Sequence, residues 1–405
     1  MSEDINSKAA DNQAKDHADD DYLDDDGWIP LSDPDITQFD IDFVSAALQA
    51  PQLSNGPLVE KFEQVFAKYI GRKHGIAVAS GTIGVWLALQ TLELQADDEV
   101  IVPAYSWHQT AHAVLLTGAK PVFADIDYWC GCLAPEAIAA KITDKTKALL
   151  VCNANGHPAA WQPIQELAAK HNLRLIEDST EAIGSRYQGK VVGSFGDLAI
   201  FDFSQPSAMC AGEGAIILTD DDALASELHY FRNRKIEDRS SISVGSRVPL
   251  QACISEMTAA LALAQLNRID DILARRKQVQ AWYLDQLQTF EGIKPPYLAP
   301  DVDEVHWMLY LVHLGKRFTT SARGQVIEDM DAELIETAAY CMPLHQQFAY
   351  QKLGYKRGQL PNTERIGDRA LALPFNTHLT ENHVKFIVKR LKEASINIGA
   401  GVPIY

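Results

Sequence analysis

The sequence predicts an α/β protein with a mostly parallel central sheet, helices on both faces, and a smaller C-terminal α+β domain. Two observations predict it. Up to about residue 203, short runs rich in Val, Ile, Leu and Phe alternate with helical stretches, which is how βαβ units look in sequence. Beyond a long helical pattern, Gly292, Pro295, Pro296 and Pro300 interrupt the chain, and a separate set of elements follows. A chain of 405 residues, 47% of them hydrophobic, can bury one large core or two smaller ones.

The elements follow in order. Val59, Phe62, Phe66, Tyr69 and Ile70 recur at helical spacing, predicting an amphipathic helix over 58–70. Ile76, Ala77 and Val78 read as a strand running through Ser80-Gly81-Thr82 into a helix that ends near Leu94. Strands are expected at 99–102, 121–125, 148–152 and 174–177, with helices near 107–117, 135–141 and 162–170. Apolar segments at 198–203 and 215–218 flank a small, polar, glycine-bearing loop. From 256 to 289 an uninterrupted helical pattern predicts one long linking helix. A strand at 307–314 and a closing helix at 381–394 complete the smaller part. The predicted organisation is thus an acidic tail (1–27), a large α/β domain (28–255), a linking helix (256–290) and a small C-terminal domain (291–405).

Much of the formal net charge of −18, about −8 of it, lies at the start of the chain. Residues 1–26 hold ten acidic side chains against Lys8 and Lys15 and almost nothing apolar, so this segment is expected to be disordered. The remainder keeps about −10, which argues against nucleic acid or an anionic membrane as partner. No run approaches the ~20 apolar residues of a membrane span, and no signal peptide is legible. Six scattered cysteines fit reduced thiols, and a cytoplasmic location is expected. Cys130-Gly131-Cys132 has no His or Cys partner at ligand-like spacing, so no metal site is assigned.

Several residues are candidates for chemistry. Ser80-Gly81-Thr82, between strand and helix, suits either a phosphate cradle or a plain helix cap, because backbone N–H groups there attract anions. Gly212-Glu213-Gly214 lacks the third glycine and the context of a dinucleotide fingerprint. His108, beside Trp107, is a candidate base.

The stretch 197–219, with Gly212-Glu213-Gly214 near its end, resembles the lysine loop of the DegT/StrS family of nucleotide-sugar aminotransferases, which have the fold-type-I architecture. Further motifs carry the likeness over roughly 28–390: Ser80-Gly81-Thr82, the segment from Asp98 to Ser106, Gly118 to Asp125, Ile176-Glu177-Asp178, Gly193 to Asp197, and Glu256 through Leu266. The resemblance implies a pocket for pyridoxal phosphate (PLP) or pyridoxamine phosphate (PMP). In it Gly81 and Thr82 contact the phosphate, Trp107 stacks on the ring, Asp178 pairs with the ring nitrogen, and Glu181 approaches the ring hydroxyl. Asp178 ending a buried strand also suits a turn cap, and Trp107 suits plain packing. His345 matches a family histidine near the pocket and equally suits a structural role.

Three departures accompany the resemblance. Ser207 stands where the family has its Schiff-base lysine, and no lysine occurs between Lys190 and Lys235. Asp202 stands where the family has a phosphate-binding serine, with Ser204 two residues on and able to recover part of that contact. Gln251 and Cys253 match an Asn and an Arg that reach a neighbouring subunit's pocket. The expectation is therefore a homologue that does not transaminate: a degenerate form, a partner subunit (homodimer or heteromer with an active paralogue) or a binder of a nucleotide sugar, with any PLP or PMP held non-covalently. The alternatives are a lysine-less PMP-dependent enzyme acting on a nucleotide ketosugar in the manner of a dehydratase, and an ordinary PLP aminotransferase.

Overall fold

A computed structural model describes residues 27–233, 249–288, 290, 292–316 and 318–397. The acidic segment 1–26, expected to be disordered, lies outside the described residues. The first part of the chain contains α1 (Gln38–Leu48), α2 (Pro57–Ile70), β1 (His74–Val78), α3 (Gly81–Gln90), β2 (Glu99–Pro103), α4 (His108–Thr117), β3 (Lys120–Ala124), α5 (Pro135–Ala139), β4 (Thr146–Cys152), α6 (Trp161–His171) and β5 (Arg174–Asp178). A short hairpin, β6 (Arg186–Tyr187) and β7 (Lys190–Val191), precedes β8 (Leu198–Asp202), β9 (Ala215–Thr219) and α7 (Asp222–Arg232).

Seven of these strands form one sheet in the order β1-β9-β8-β5-β4-β2-β3. The neighbours from β8 through β3 are parallel. β9 alone runs against its neighbours, β1 and β8. Six strands therefore point the same way. Side-chain alternation divides the sheet residues between two cores. Ile76, Val78, Leu150, Ile176, Leu198 and Ile200 pack on the face covered by α3, α4 and α7. Ala77, Leu149, Val151, Leu175, Ala199 and Phe201 pack on the opposite face with Phe62, Phe66 and Trp161. Helices thus cover both faces, as the continuous apolar strands predict.

The predicted long helix is a correction. The chain forms α8 (Glu256–Asn267) and α9 (Ile269–Leu287), with Arg268 between them at φ −108° and ψ 3°. Each half serves a different partner: α8 packs on α1, while α9 packs on the last helix, α12 (Glu381–Asn397). The Arg268 guanidinium ties the break to the start of the fold, reaching Asp40 at 2.6 Å and also pairing with Asp35. The pattern lacks Gly or Pro, so nothing local announces this break.

The C-terminal part contributes β10 (Ile293–Lys294), β11 (Val302–Glu304), β12 (Tyr310–Leu314), α10 (Thr320–Asp331), α11 (Pro361–Arg369), β13 (Ala370–Leu373) and α12. β12 pairs antiparallel with β10 and β13. The strand expected from 307 begins only at Tyr310, because the backbone at Met308 and Leu309 is engaged by Asn155 instead. β11 adds to the β6–β7 hairpin and so ties the two parts together. No helix among the described residues is long and apolar enough to cross a membrane.

Candidate functional site

Strand polarity decides where a site can form. The C-terminal ends of six co-directional strands line one edge of the sheet, where open α/β sheets bind ligands. Ser80 and Gly81 follow β1, Trp107 follows β2, Asp178 ends β5 and Asp202 ends β8. Asp178 shares its side of the sheet with Ile176, and Asp202 shares its side with Leu198 and Ile200, so both carboxylates face the α3 side.

Between Ile176 and Asp178, Glu177 points the other way and is wholly buried. It accepts N–H groups from Gly193, from Phe195 (2.8 Å) and from Gly196 (3.1 Å), together with the Ser179 hydroxyl at 2.8 Å. The glycine-containing segment 193–197 is thus folded around a structural carboxylate. Two adjacent acidic residues have separate duties.

Asp202 is the pivot of the site. Its Oδ2 accepts the Gly81 N–H at 2.6 Å, and its Oδ1 accepts the Ser204 N–H at 2.7 Å and the Ser204 hydroxyl. Gly81 is the first residue of α3, where unpaired N–H groups and the helix dipole favour an anion. A Cβ at Gly81 would fall 2.9 Å from the Asp202 Cβ and closer still to Oδ2. At Gly81, where the sequence suits a phosphate cradle or a helix cap, the helix start is occupied by the chain's own Asp202 carboxylate. Ser80 caps α3 through Ile83, and Thr82 stands half-buried beside the cradle.

Two more acids, Asp178 and Glu181, stand at the same edge of the sheet. Asp178 accepts the Thr180 N–H at 3.1 Å and lies 3.9 Å from the Cys152 thiol. Burial raises its pKa, and the neighbouring Asp202 charge adds to the rise. Glu181 is pushed up to about 7, because burial outweighs its three hydrogen-bond donors. Those donors are the Tyr340 hydroxyl, the Asn155 N–H and the Trp107 indole N–H. Trp107, expected to stack or to pack, is also a donor that orients Glu181. Tyr340 and Asn155 were not found from sequence. Asn155-Gly156 is a turn signal, realised by Asn155 at φ 49°, whereas Tyr340 arrives from 159 residues beyond Glu181 with no local signal.

The loop from 203 to 214 closes on itself through the Phe203 N–H to Gly214 and the Ala211 N–H to Phe203, both 2.9 Å. Ser207 is half-buried within it, and its hydroxyl accepts the Met209 N–H at 3.2 Å. Two candidates fall outside the cluster. His108 opens α4 with its side chain exposed, so it is not brought to the acids; its carbonyl instead accepts the Tyr350 hydroxyl at 3.1 Å. His345 is buried against Glu364 at 3.1 Å, and Glu364 in turn accepts the Gly358 N–H, which is a structural assignment. Of the further departures, Cys253 lies 3.6 Å from the Asn55 side chain, and Gln251 is exposed.

Residues 34–392 match the sequence pattern described as the DegT/DnrJ/EryC1/StrS aminotransferase family. The chain belongs to that family. It is 34% identical over 370 residues to the GDP-perosamine synthase of Caulobacter vibrioides, covering 91% of this chain and 98% of that protein. It is 30% identical over 377 residues to the spore coat polysaccharide biosynthesis protein SpsC of Bacillus subtilis, covering 90% and 97% of the two. The fold also matches Spr1654 of Streptococcus pneumoniae, solved in PMP and PLP forms. The PMP form superimposes with a TM-score of 0.86 at 23% identity, over 92% of this chain and 98% of that one, a likeness of fold. The fold is therefore that of the fold-type-I aminotransferases, with relatives in nucleotide-sugar and polysaccharide biosynthesis.

The residues do not fit a phosphorylated, covalently held cofactor. The loop 203–214 offers Ser204 and Ser207 hydroxyls and no primary amine. The N–H that a phosphate needs at Gly81 is already bonded to a carboxylate. Trp107 is nevertheless hydrogen-bonded to Glu181, with the Asp178 carboxylate near Glu181.

Proposed function

We propose that this chain is a non-transaminating member of its family, acting as a ligand-binding or partner subunit in nucleotide-sugar or polysaccharide biosynthesis. One observation carries the reading: the Asp202 carboxylate sits on the Gly81 N–H at the start of α3. A carboxylate there satisfies the helix terminus internally and repels a second anion. Ser207 supports the same conclusion. Its hydroxyl forms no Schiff base and does not titrate near neutral pH, so it neither anchors a cofactor nor shuttles a proton.

The assembled Asp178, Trp107 and Glu181 then serve a ligand without a phosphate at this position, or hold the subunit in shape for a homodimer or a heteromer with a lysine-bearing paralogue. The same three residues favour a second reading, in which PMP is held non-covalently and a nucleotide ketosugar is processed.

Calorimetric and absorbance titration of the purified protein with PLP and with PMP separates the readings, with Ser207→Lys in parallel. Wild type is expected to bind neither at micromolar concentration, and Ser207→Lys alone is expected to restore little, because Asp202 remains. Micromolar binding of PMP by wild type would overturn the proposal and favour the second reading. Binding of PLP by Ser207→Lys as tight as an ordinary aminotransferase would show that Asp202 is no obstacle.

A further inference from the structure

The fold also brings together two thiols and an imidazole that sequence spacing kept apart. The ligand atoms of Cys130, Cys132 and His157 all lie within 4.8 Å of one another. We propose that these three side chains form a binding site for a soft d10 cation of the zinc class, with a fourth position left to water or to a ligand.

The thiols are held in place by backbone. Asp127 accepts the Trp129 N–H at 2.9 Å and the Cys130 N–H at 3.1 Å, and its own N–H bonds the Cys132 carbonyl at 2.9 Å. Gly131 turns the chain between the two cysteines at φ 76°, a conformation that suits glycine. The Cys132 thiol is buried and donates to the His157 carbonyl at 3.2 Å, which fixes the thiol beside the histidine.

The imidazole is prepared from its far side. His157 Nδ1 lies 2.7 Å from the Pro158 carbonyl, which only accepts, so Nδ1 carries the proton and Nε2 presents a lone pair. Ligating histidines are generally oriented by such a bond from their other nitrogen. The ring is 2% exposed and stacks on Tyr297 at 6.4 Å. The Ala299 N–H meets the Nε2 lone pair at 3.2 Å, and metal binding replaces that bond. Two thiolates and a divalent ion sum to zero charge, which suits a buried site, and loading releases two protons.

A second observation points to a ligand. Cys130 and Gly131 wall a cleft whose other sides include Tyr105, Asn155, Tyr297 and His313. The His313 Nδ1 and the Tyr105 hydroxyl are both buried without a hydrogen-bond partner. His313 is 5% exposed, and burial pushes its pKa down to about 4, so the ring is neutral. Buried polar groups are rarely left unsatisfied. A metal-bound water or ligand in this cleft supplies a partner, as the open position of a three-ligand zinc site does.

The test uses reduced full-length protein freed of metal with a chelator, then titrated with Co2+ as a spectroscopic stand-in. Wild type is expected to take up one equivalent with a thiolate-to-cobalt charge-transfer band, reversed by Zn2+. Cys132→Ser and His157→Gln are each expected to weaken uptake about 100-fold or more. The half-buried Cys130→Ser serves if Cys132→Ser fails to fold, with circular dichroism reporting foldedness. Loading is also expected to free the Ala299 amide for hydrogen exchange. A folded wild type that gives no charge-transfer band, or a band unchanged in both cysteine variants, overturns the proposal.

Discussion

Replacing Asp202 tests most directly whether this carboxylate blocks the phosphate cradle. In the wild type the Gly81 N–H is committed to Oδ2 at 2.6 Å, with the carboxylate itself buried. A phosphate placed at ~5 Å from that charge, at an effective dielectric of about 20, costs about 3 kcal/mol per unit of its own charge. A dianion therefore loses about 5 kcal/mol after partial screening, and a freed N–H returns about 2 kcal/mol through a charge-assisted hydrogen bond. Since 1.4 kcal/mol is tenfold, Asp202→Ser is expected to tighten PMP binding by about five orders of magnitude. Asp202→Asn keeps the shape and removes the charge, so it is expected to fall between the two. Isothermal titration calorimetry on all three proteins reads the series, with thermal melts confirming that each is folded. Equal affinity in wild type and Asp202→Ser would refute the argument, and a silent Asp202→Asn would show that hydrogen bonding, rather than charge, is responsible.

Gly81→Ala is expected to destabilise by about 2 kcal/mol, since its Cβ overlaps the Asp202 carboxylate, and by less in an Asp202→Ser background; a double-mutant cycle of urea midpoints measures the coupling, and a zero coupling would refute the contact. Glu181 has a folded pKa of about 7, above its unfolded value of 4.5, so its contribution to stability is complete below pH 4.5 and is lost as pH rises through 7. The window amounts to about 3 kcal/mol, and the stability of Glu181→Gln relative to wild type should rise by roughly that amount between pH 4.5 and 7.5 in denaturant titrations. A flat difference would show that Glu181 is not protonated at mildly acidic pH. Glu256→Ala removes the acceptor of the Gly56, Leu58 and Val59 N–H groups, at 3.0, 3.0 and 3.1 Å, and is expected to cost about 3 kcal/mol, with Glu256→Gln costing less. An unchanged urea midpoint in Glu256→Ala would show that α2 needs no such cap.

Much of the fold was legible because its signals are local. The apolar runs that become β1, β4, β5 and β8 carry their periodicity in a few consecutive residues, and alternation assigns their two faces. The break at Arg268 was not legible, because its cause is the pair Asp35 and Asp40 far back in the chain. His108 was misplaced because adjacency to Trp107 in sequence says nothing about which way a side chain leaves the first turn of a helix.

By itself the sequence determined the alternating α/β architecture, the serine at position 207 and the aspartate at position 202, since each depends on residue identity and short-range pattern. The tertiary structure alone decided that Asp202 spends its charge on the Gly81 N–H, 121 residues away. It also decided that Tyr340 orients Glu181 and that His157 meets Cys130 and Cys132. These encounters depend on crossovers that return distant strand ends to one edge of the sheet and on packing that fixes side-chain direction, which no short-range pattern encodes.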